Sequence, residues 1–188
     1  ALLFFISVSL FSQDEKRLAL VIGNANYDKG ELKNPVNDAR LIKEKLDSLQ
    51  FDIIYRENLE TNADFKDAVK EFADKRDDYS VAFVYYAGHG IQIDGENFML
   101  PTKEIFEKEN DVKFSAVSVQ DIMMWLKDKT DEVNVLILDA CRNNPYEQNF
   151  ETVRSYGGKS RGLARMSSAG SLIAFSTEPG KVAADGEG

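Results

Sequence analysis

The chain alternates between two kinds of apolar pattern, and this alternation restricts the fold more than any other feature. Residues 17–24 are a continuous apolar run, typical of a strand buried in a parallel sheet. Strand patterns occur at residues 17–24, 51–58, 80–90 and 132–141, and residues 171–180 are expected to form a last strand and a turn. Between them, apolar residues recur at helical spacing over residues 34–50, 61–78 and 118–129. Strand–helix–strand order predicts an α/β fold in which a mostly parallel sheet carries helices on both faces.

Local signals refine this prediction. Thr61 or Asn62 is expected to cap the second helix, and Asp94-Gly95 predicts the turn of a β-hairpin over residues 91–101. The first helix is expected to bury one apolar face made of Ala39, Ile42, Leu46 and Leu49.

Length and charge limit the classes of function. A chain of 188 residues predicts one domain. A net charge of −9 disfavours a nucleic-acid partner, whose phosphates need a positive surface. The same charge disfavours an anionic membrane surface and suits a cationic substrate.

The first twelve residues are apolar and uncharged but too few to span a bilayer well. We interpret residues 1–13 as the remnant of a secretory signal peptide, which predicts export to the periplasm or the exterior. A buried N-terminal strand is the alternative. Both ends look trimmed, with no initiating Met and a polar loop at the last residues. The expected domain covers residues 17–188.

The chain has one histidine, His89, and one cysteine, Cys141. Each follows a buried strand, and the carboxyl ends of parallel strands meet at one edge of a sheet. We therefore expect the two residues to be neighbours. A thiolate beside an imidazole is an activated nucleophile. Gly88 and Gly90 flank the histidine in a predicted small-residue turn, and the N–H groups of Gly90 and Cys141 are candidates for an oxyanion hole.

Other interpretations of the pair remain open. Cys141 alone is typical of a small buried hydrophobe, and His89 alone is typical of a hydrogen-bonded structural residue. A metal site is disfavoured because carboxylates would have to supply the remaining ligands, and a lone cysteine excludes a Cys-rich zinc site. No nucleotide-binding glycine motif follows the first strand. A cysteine hydrolase of another kind, such as an amidase, would use the same pair.

The segments YYAGHG (85–90) and LILDACRNNP (136–145), with 52 residues from histidine to cysteine, resemble the motifs of caspase-like cysteine peptidases. The resemblance extends from Leu18 to the end of the chain. It implies a three-layer α/β/α caspase-like fold, with Cys141 as the nucleophile and His89 as its proton acceptor and donor.

The resemblance departs from caspases at the residues expected to select substrates. Asp139 stands where caspases carry Gln, Asp38 lies in a segment similar to that of metacaspases and paracaspases, and Asp185 falls where paracaspases carry a glutamate. Three converging carboxylates would bind a cationic P1 side chain, so we predict an endopeptidase that cleaves after Arg or Lys. As alternatives, Asp38 interacts with the helix dipole and Asp139 is a solvated strand end.

Residues 143–170 are predicted to form a long loop, typical of functional or disordered segments. It contains four basic residues at which we hypothesise self-cleavage: Arg154, Lys159, Arg161 and Arg165. A flexible basic loop is the alternative interpretation.

No metal or cofactor is predicted, because the acidic runs lack the spacing of a ligand loop. Activation by calcium and the oligomeric state are left open. The predicted partner is a peptide or protein substrate. The alternative function is a catalytically idle caspase-like module that binds partners.

Overall fold

The structure is a computed structural model, and it describes residues 15–126, 133–141, 146, 163 and 171–175. Three of the sequence predictions lie outside the described residues. They are the signal peptide at residues 1–13, the role of Asp185, and the long loop at residues 143–170, apart from Tyr146 and Leu163, with its self-cleavage sites.

The described residues form seven strands and four α-helices. The strands are β1 (Arg17–Gly23), β2 (Asp52–Glu57), β3 (Val81–Ile93), β4 (Glu96–Met99), β5 (Val117–Ser118), β6 (Val133–Cys141) and β7 (Ser171–Phe175). The helices are α1 (Pro35–Ser48), α2 (Asn62–Lys75), α3 (Glu109–Ser115) and α4 (Val119–Leu126).

Five of the strands form a parallel sheet in the order β2-β1-β3-β6-β7. Strand β3 is the longest and belongs to two arrangements. Its first part pairs with β1 and β6 in parallel, and its last four residues pair with β4 in an antiparallel arm that β5 extends. The five segments predicted as strands are therefore the strands of the parallel sheet, and β1, the continuous apolar run, is buried at six of its seven residues.

Helices cover both faces of the parallel sheet. On one face, Ala39 and Leu46 of α1 pack with Val21 of β1 and Tyr85 of β3. On the other face, apolar residues of α2 and α4 pack against alternate residues of the same strands, including Phe65, Phe72, Ile122, Leu126, Leu18 and Leu20. The predicted three-layer α/β/α fold is confirmed.

A second, smaller core lies under the antiparallel arm. It joins the arm to α3 and to segments that have no regular structure, and its members are Tyr27, Ile91, Ile93, Phe98, Leu100, Phe106, Val112, Ala116 and Tyr146. This core holds the segment after β1 close to the end of the parallel part of β3.

The structure differs from the sequence predictions in three local features. Leu49 is 54% exposed rather than buried, because α1 ends at Ser48 and Leu49 is its C-cap. The first strand of the hairpin is not separate, since it continues β3 without a break. Helix α3 was not predicted, because its seven residues bury only Val112 and so carry no amphipathic period.

None of the helices that the structure describes is long and apolar enough to cross a bilayer.

The N-terminus of α2 provides a test of local stability. Thr61 accepts a hydrogen bond from the Asp64 amide, and the Asp64 carboxylate accepts one from the Thr61 amide, which confirms the predicted cap. We expect Thr61→Ala to lower the free energy of unfolding by about 1 kcal/mol, measured by urea denaturation. Thr61→Ser keeps the hydroxyl and is the control. Equal stabilities for the two variants would contradict a role for the cap.

Candidate active site

The backbone of the sheet brings His89 and Cys141 together. Strands β3 and β6 are parallel neighbours, and their register pairs the Cα of His89 with that of Cys141, the last residue of β6. Hydrogen-bonded strands lie about 4.8 Å apart. The two residues that are unique in the sequence are therefore direct cross-strand neighbours at the carboxyl edge of the sheet.

The position of His89 differs from the predicted turn. His89 lies inside β3, one residue before the antiparallel pairing with β4 begins, and after the pairing with β1 has ended at Ala87. Glycine at 88 permits this change of partner, because a Cβ there would lie only 2.5 Å from the Tyr27 Oη. The histidine thus occupies the point where β3 leaves the parallel sheet.

Two tyrosine hydroxyls hold the backbone of His89. The His89 amide donates a 2.9 Å hydrogen bond to the Tyr27 Oη, and the Tyr86 Oη donates a 2.8 Å hydrogen bond to the His89 carbonyl. The Leu100 amide also donates to that carbonyl, at 3.1 Å. The two hydroxyls lie 3.0 Å apart. Every partner in this group is buried, so the polar groups satisfy one another away from water.

The His89 imidazole is buried and contacts the segment that follows β1. Its ring lies 4.4 Å from the Tyr27 ring, centroid to centroid, and its Nε2 lies 2.6 Å from the Gly30 carbonyl oxygen. A carbonyl oxygen only accepts hydrogen bonds, so Nε2 carries the proton. In the neutral ring, Nδ1 then has the lone pair and is the basic nitrogen.

Asparagine side chains anchor the segment that presents Gly30. The Asn58 Oδ1 accepts hydrogen bonds from the amides of Ala25 and Asn26, at 2.9 and 3.0 Å. The Asn24 Oδ1 accepts from the Leu59 amide at 3.0 Å. These bonds replace a regular ladder between the ends of β1 and β2, so the segment is held although it forms neither helix nor strand.

The Gly90 amide faces the β6 side of β3. The His89 amide and carbonyl both bond on the side of Tyr27 and β4, and peptide groups alternate in direction along a strand. A Cβ at Gly90 would lie 3.0 Å from both Ala140 Cβ and Leu163 Cδ2. Glycine therefore allows close packing at this point, and its N–H points toward the strand that ends at Cys141.

Two of the three carboxylates that were predicted to form the P1 pocket, those of Asp38 and Asp139, lie near the side chain of Tyr85. The Tyr85 Oη donates a 3.2 Å hydrogen bond to the Asp139 Oδ2. Burial, followed by the negative charges of Asp139 and of Asp38 in the first turn of α1, raises the pKa of Tyr85. Asp38 and Asp139 thus lie near the same phenol, on the α1 face of the sheet.

Sequence reasoning missed the residues that support His89, namely Tyr27, Tyr86, Gly30, Asn24 and Asn58. Tyr27 bonds the Tyr86 hydroxyl 59 residues away and the His89 amide 62 residues away, and contacts at such distances along the chain have no periodic signature. The positive φ of Gly30 and Asn58, 79° and 49°, marks two of these positions as special, but a backbone angle is not visible in a sequence.

Within the described ranges, no three His, Cys, Asp or Glu side chains form a group that could hold a metal ion.

A three-layer α/β/α fold with a mostly parallel sheet, and with a His–Cys pair at the carboxyl edge of that sheet, is the architecture of a caspase-like cysteine peptidase. The family model for the caspase domain matches residues 16–188. The chain therefore belongs to the caspase-domain family of cysteine peptidases.

Two curated relatives match part of the chain. They are the human and the mouse forms of mucosa-associated lymphoid tissue lymphoma translocation protein 1, and each is 33% identical over 138 residues. The match covers 71% of this chain but only 16% of each relative. The chain therefore spans less than a fifth of the length of these proteins.

The tyrosine that binds the His89 amide gives a stability prediction. Tyr27→Phe leaves that buried amide without its acceptor, so we expect the free energy of unfolding to fall by about 1–3 kcal/mol, measured by urea denaturation. Tyr79→Phe is the control, since the Tyr79 hydroxyl bonds the Asp52 carboxylate at the surface, at 2.6 Å. A Tyr27→Phe variant no less stable than the control would contradict this role.

Proposed function

We propose that the chain is a cysteine endopeptidase in which Cys141 is the nucleophile and His89 is its base and acid. The observation that supports this most directly is the cross-strand pairing of the two residues. The Gly30 carbonyl adds to it, because it keeps the proton on Nε2 and leaves Nδ1 as the base.

The proposed reaction has two stages, the formation of an acyl-enzyme on Cys141 and its hydrolysis, and His89 accepts and returns a proton in each stage. The Cys141 thiol gives its proton to His89 Nδ1, and the sulfur attacks the scissile carbonyl carbon. The N–H groups of Gly90 and Cys141 donate to the oxyanion. His89 returns the proton to the leaving amine, which gives an acyl-enzyme. Water then loses a proton to His89 and attacks the acyl carbon. The C–S bond breaks, the acid product leaves, and the proton on His89 returns to the sulfur.

We propose that the acidic residues select a P1 Arg or Lys. Asp38 and Asp139 lie near the same buried phenol, and Asp185 is the third member on sequence grounds alone. A guanidinium binds a carboxylate with two parallel hydrogen bonds, and an ammonium binds as a point charge. The net charge of −9 attracts such substrates at long range.

The proposed dyad predicts a strict dependence on Cys141. Wild-type protein should hydrolyse fluorogenic peptides with P1 Arg or Lys far faster than those with P1 Asp or Leu. In Cys141→Ala, kcat/KM should fall by more than about a thousandfold. The assays are run with and without calcium, because calcium dependence is open. Turnover that survives in Cys141→Ala would contradict the dyad, and no turnover in any condition would favour an idle, partner-binding module.

The proposed pocket predicts a loss that depends on the substrate. Loss of a charge-assisted hydrogen bond in Asp38→Asn or Asp139→Asn should lower kcat/KM for P1 Arg peptides about tenfold to a hundredfold. Residual hydrolysis of P1 Leu peptides should change little. Asp121→Asn, an exposed carboxylate on the opposite face of the sheet, is the control. Equal losses for Arg and Leu peptides would instead indicate a structural role for Asp38 and Asp139.

A further inference from the structure

Tyr146 follows the proposed nucleophile by five residues and is anchored in the second core. Its side chain is 4% exposed. Its ring meets the Phe106 ring edge to face at 5.2 Å, and its hydroxyl donates a 3.2 Å hydrogen bond to the Glu104 carbonyl. Tyr146 therefore has a fixed place beneath the segment that follows β1.

The ring of Tyr146 also holds the residue that precedes Gly30. The Lys29 Nζ lies 4.9 Å from the ring centroid, within the range of a cation–π interaction. On the other side, the Asp28 carboxylate binds the Lys103 Nζ at 2.6 Å, and the Asp28 amide donates to the Thr102 carbonyl at 3.2 Å. The short segment from Asp28 to Gly30 is thus held from two directions.

The conformation of Gly30 makes its carbonyl sensitive to this support. Gly30 has a φ of 79°, in the left-handed region that glycine adopts without a steric penalty. A glycine in a segment without helix or strand has many accessible conformations, so contacts on its neighbours determine where the carbonyl points. That carbonyl is the acceptor for the His89 Nε2.

We propose that Tyr146 is a positioning residue for the reaction. It holds Lys29, and through Lys29 it keeps the Gly30 carbonyl against His89 so that the neutral imidazole carries its proton on Nε2. This inference rests on the proposed function, in which Nδ1 accepts the Cys141 proton. A residue in the chain segment after the nucleophile thereby determines the tautomer of the base.

The consequence of losing Tyr146 follows from the two tautomers of imidazole. When the Gly30 carbonyl moves away, Nε2–H loses its acceptor and the tautomer with the proton on Nδ1 becomes populated. That tautomer cannot accept the thiol proton at Nδ1. Substrate binding at Asp38 and Asp139 does not involve Tyr146, so kcat is the parameter that should change.

His89 is the only histidine, so its tautomer can be read directly. The measurement is a long-range ¹H–¹⁵N spectrum of ¹⁵N-labelled protein that carries no histidine tag. In wild type it should show the neutral His89 ring protonated on Nε2. Tyr146→Leu should show a mixture of tautomers, with kcat reduced about tenfold to a hundredfold and KM within about twofold of wild type. Tyr146→Phe keeps the ring over Lys29 and should retain the wild-type tautomer.

Two further variants separate positioning from general stability. Lys29→Met removes the cation without changing the second core, and it should shift the tautomer in the same direction as Tyr146→Leu. Tyr79→Leu removes a partly buried tyrosine ring that packs against the core on the α2 face of the sheet, and it should leave the imidazole signals unchanged. If Tyr146→Leu fails to fold, the Lys29→Met and Tyr146→Phe spectra still decide the matter.

The inference and the proposed function fail in different measurements. Wild-type imidazole signals in Lys29→Met, and in Tyr146→Leu where it folds, would overturn the positioning role whatever the activity. A tautomer shift in Tyr79→Leu as large as in Tyr146→Leu would also overturn it. A wild-type protein that hydrolyses no peptide would refute the proposed function, while the spectra would still report whether Tyr146 fixes the tautomer.

Discussion

The parallel pairing of β3 with β6 is the interaction on which the rest of the molecule depends. Its register places His89 beside Cys141, and a shift by one residue would turn the residues of one strand to the opposite face. The register is strongly specified because both strands are buried between helices, with Val84, Tyr86 and Leu136 each 1% exposed or less. The register between β3 and β6 therefore determines both the packing of the core and the positions of His89 and Cys141.

The site lies where β3 exchanges β1 for β4 as its partner, and the hydrogen bonds of His89 differ from those of a regular sheet at this point. At Ala87 strand β3 loses β1 as a partner, and from Gly90 it gains β4. On the side away from β6, the Tyr27 hydroxyl accepts from the His89 amide, and the Tyr86 hydroxyl and the Leu100 amide donate to the His89 carbonyl. A buried peptide group without a hydrogen bond is costly. The same tyrosines that satisfy it also fix the backbone that carries the imidazole.

The repeating parts of the fold could be predicted from the sequence, and the irregular parts could not. Strand patterns in the sequence predicted the parallel strands, and strand–helix–strand order predicted that His89 and Cys141 share an edge. The Gly30 carbonyl is a backbone group in a segment without periodicity, so no residue type in the sequence predicts its contact with His89. The end of α1 was misjudged for a related reason, since Leu49 is apolar but follows the last helical turn.

The central claim is that His89 activates Cys141, and the rate of alkylation tests it most directly. Cys141 is the only cysteine, so intact mass after treatment with iodoacetamide reports this residue alone. At pH 7 the wild-type protein should react at least about tenfold faster than His89→Asn, and the two rates should converge near pH 10, where free thiols ionise unaided. Equal rates at pH 7 would contradict the account.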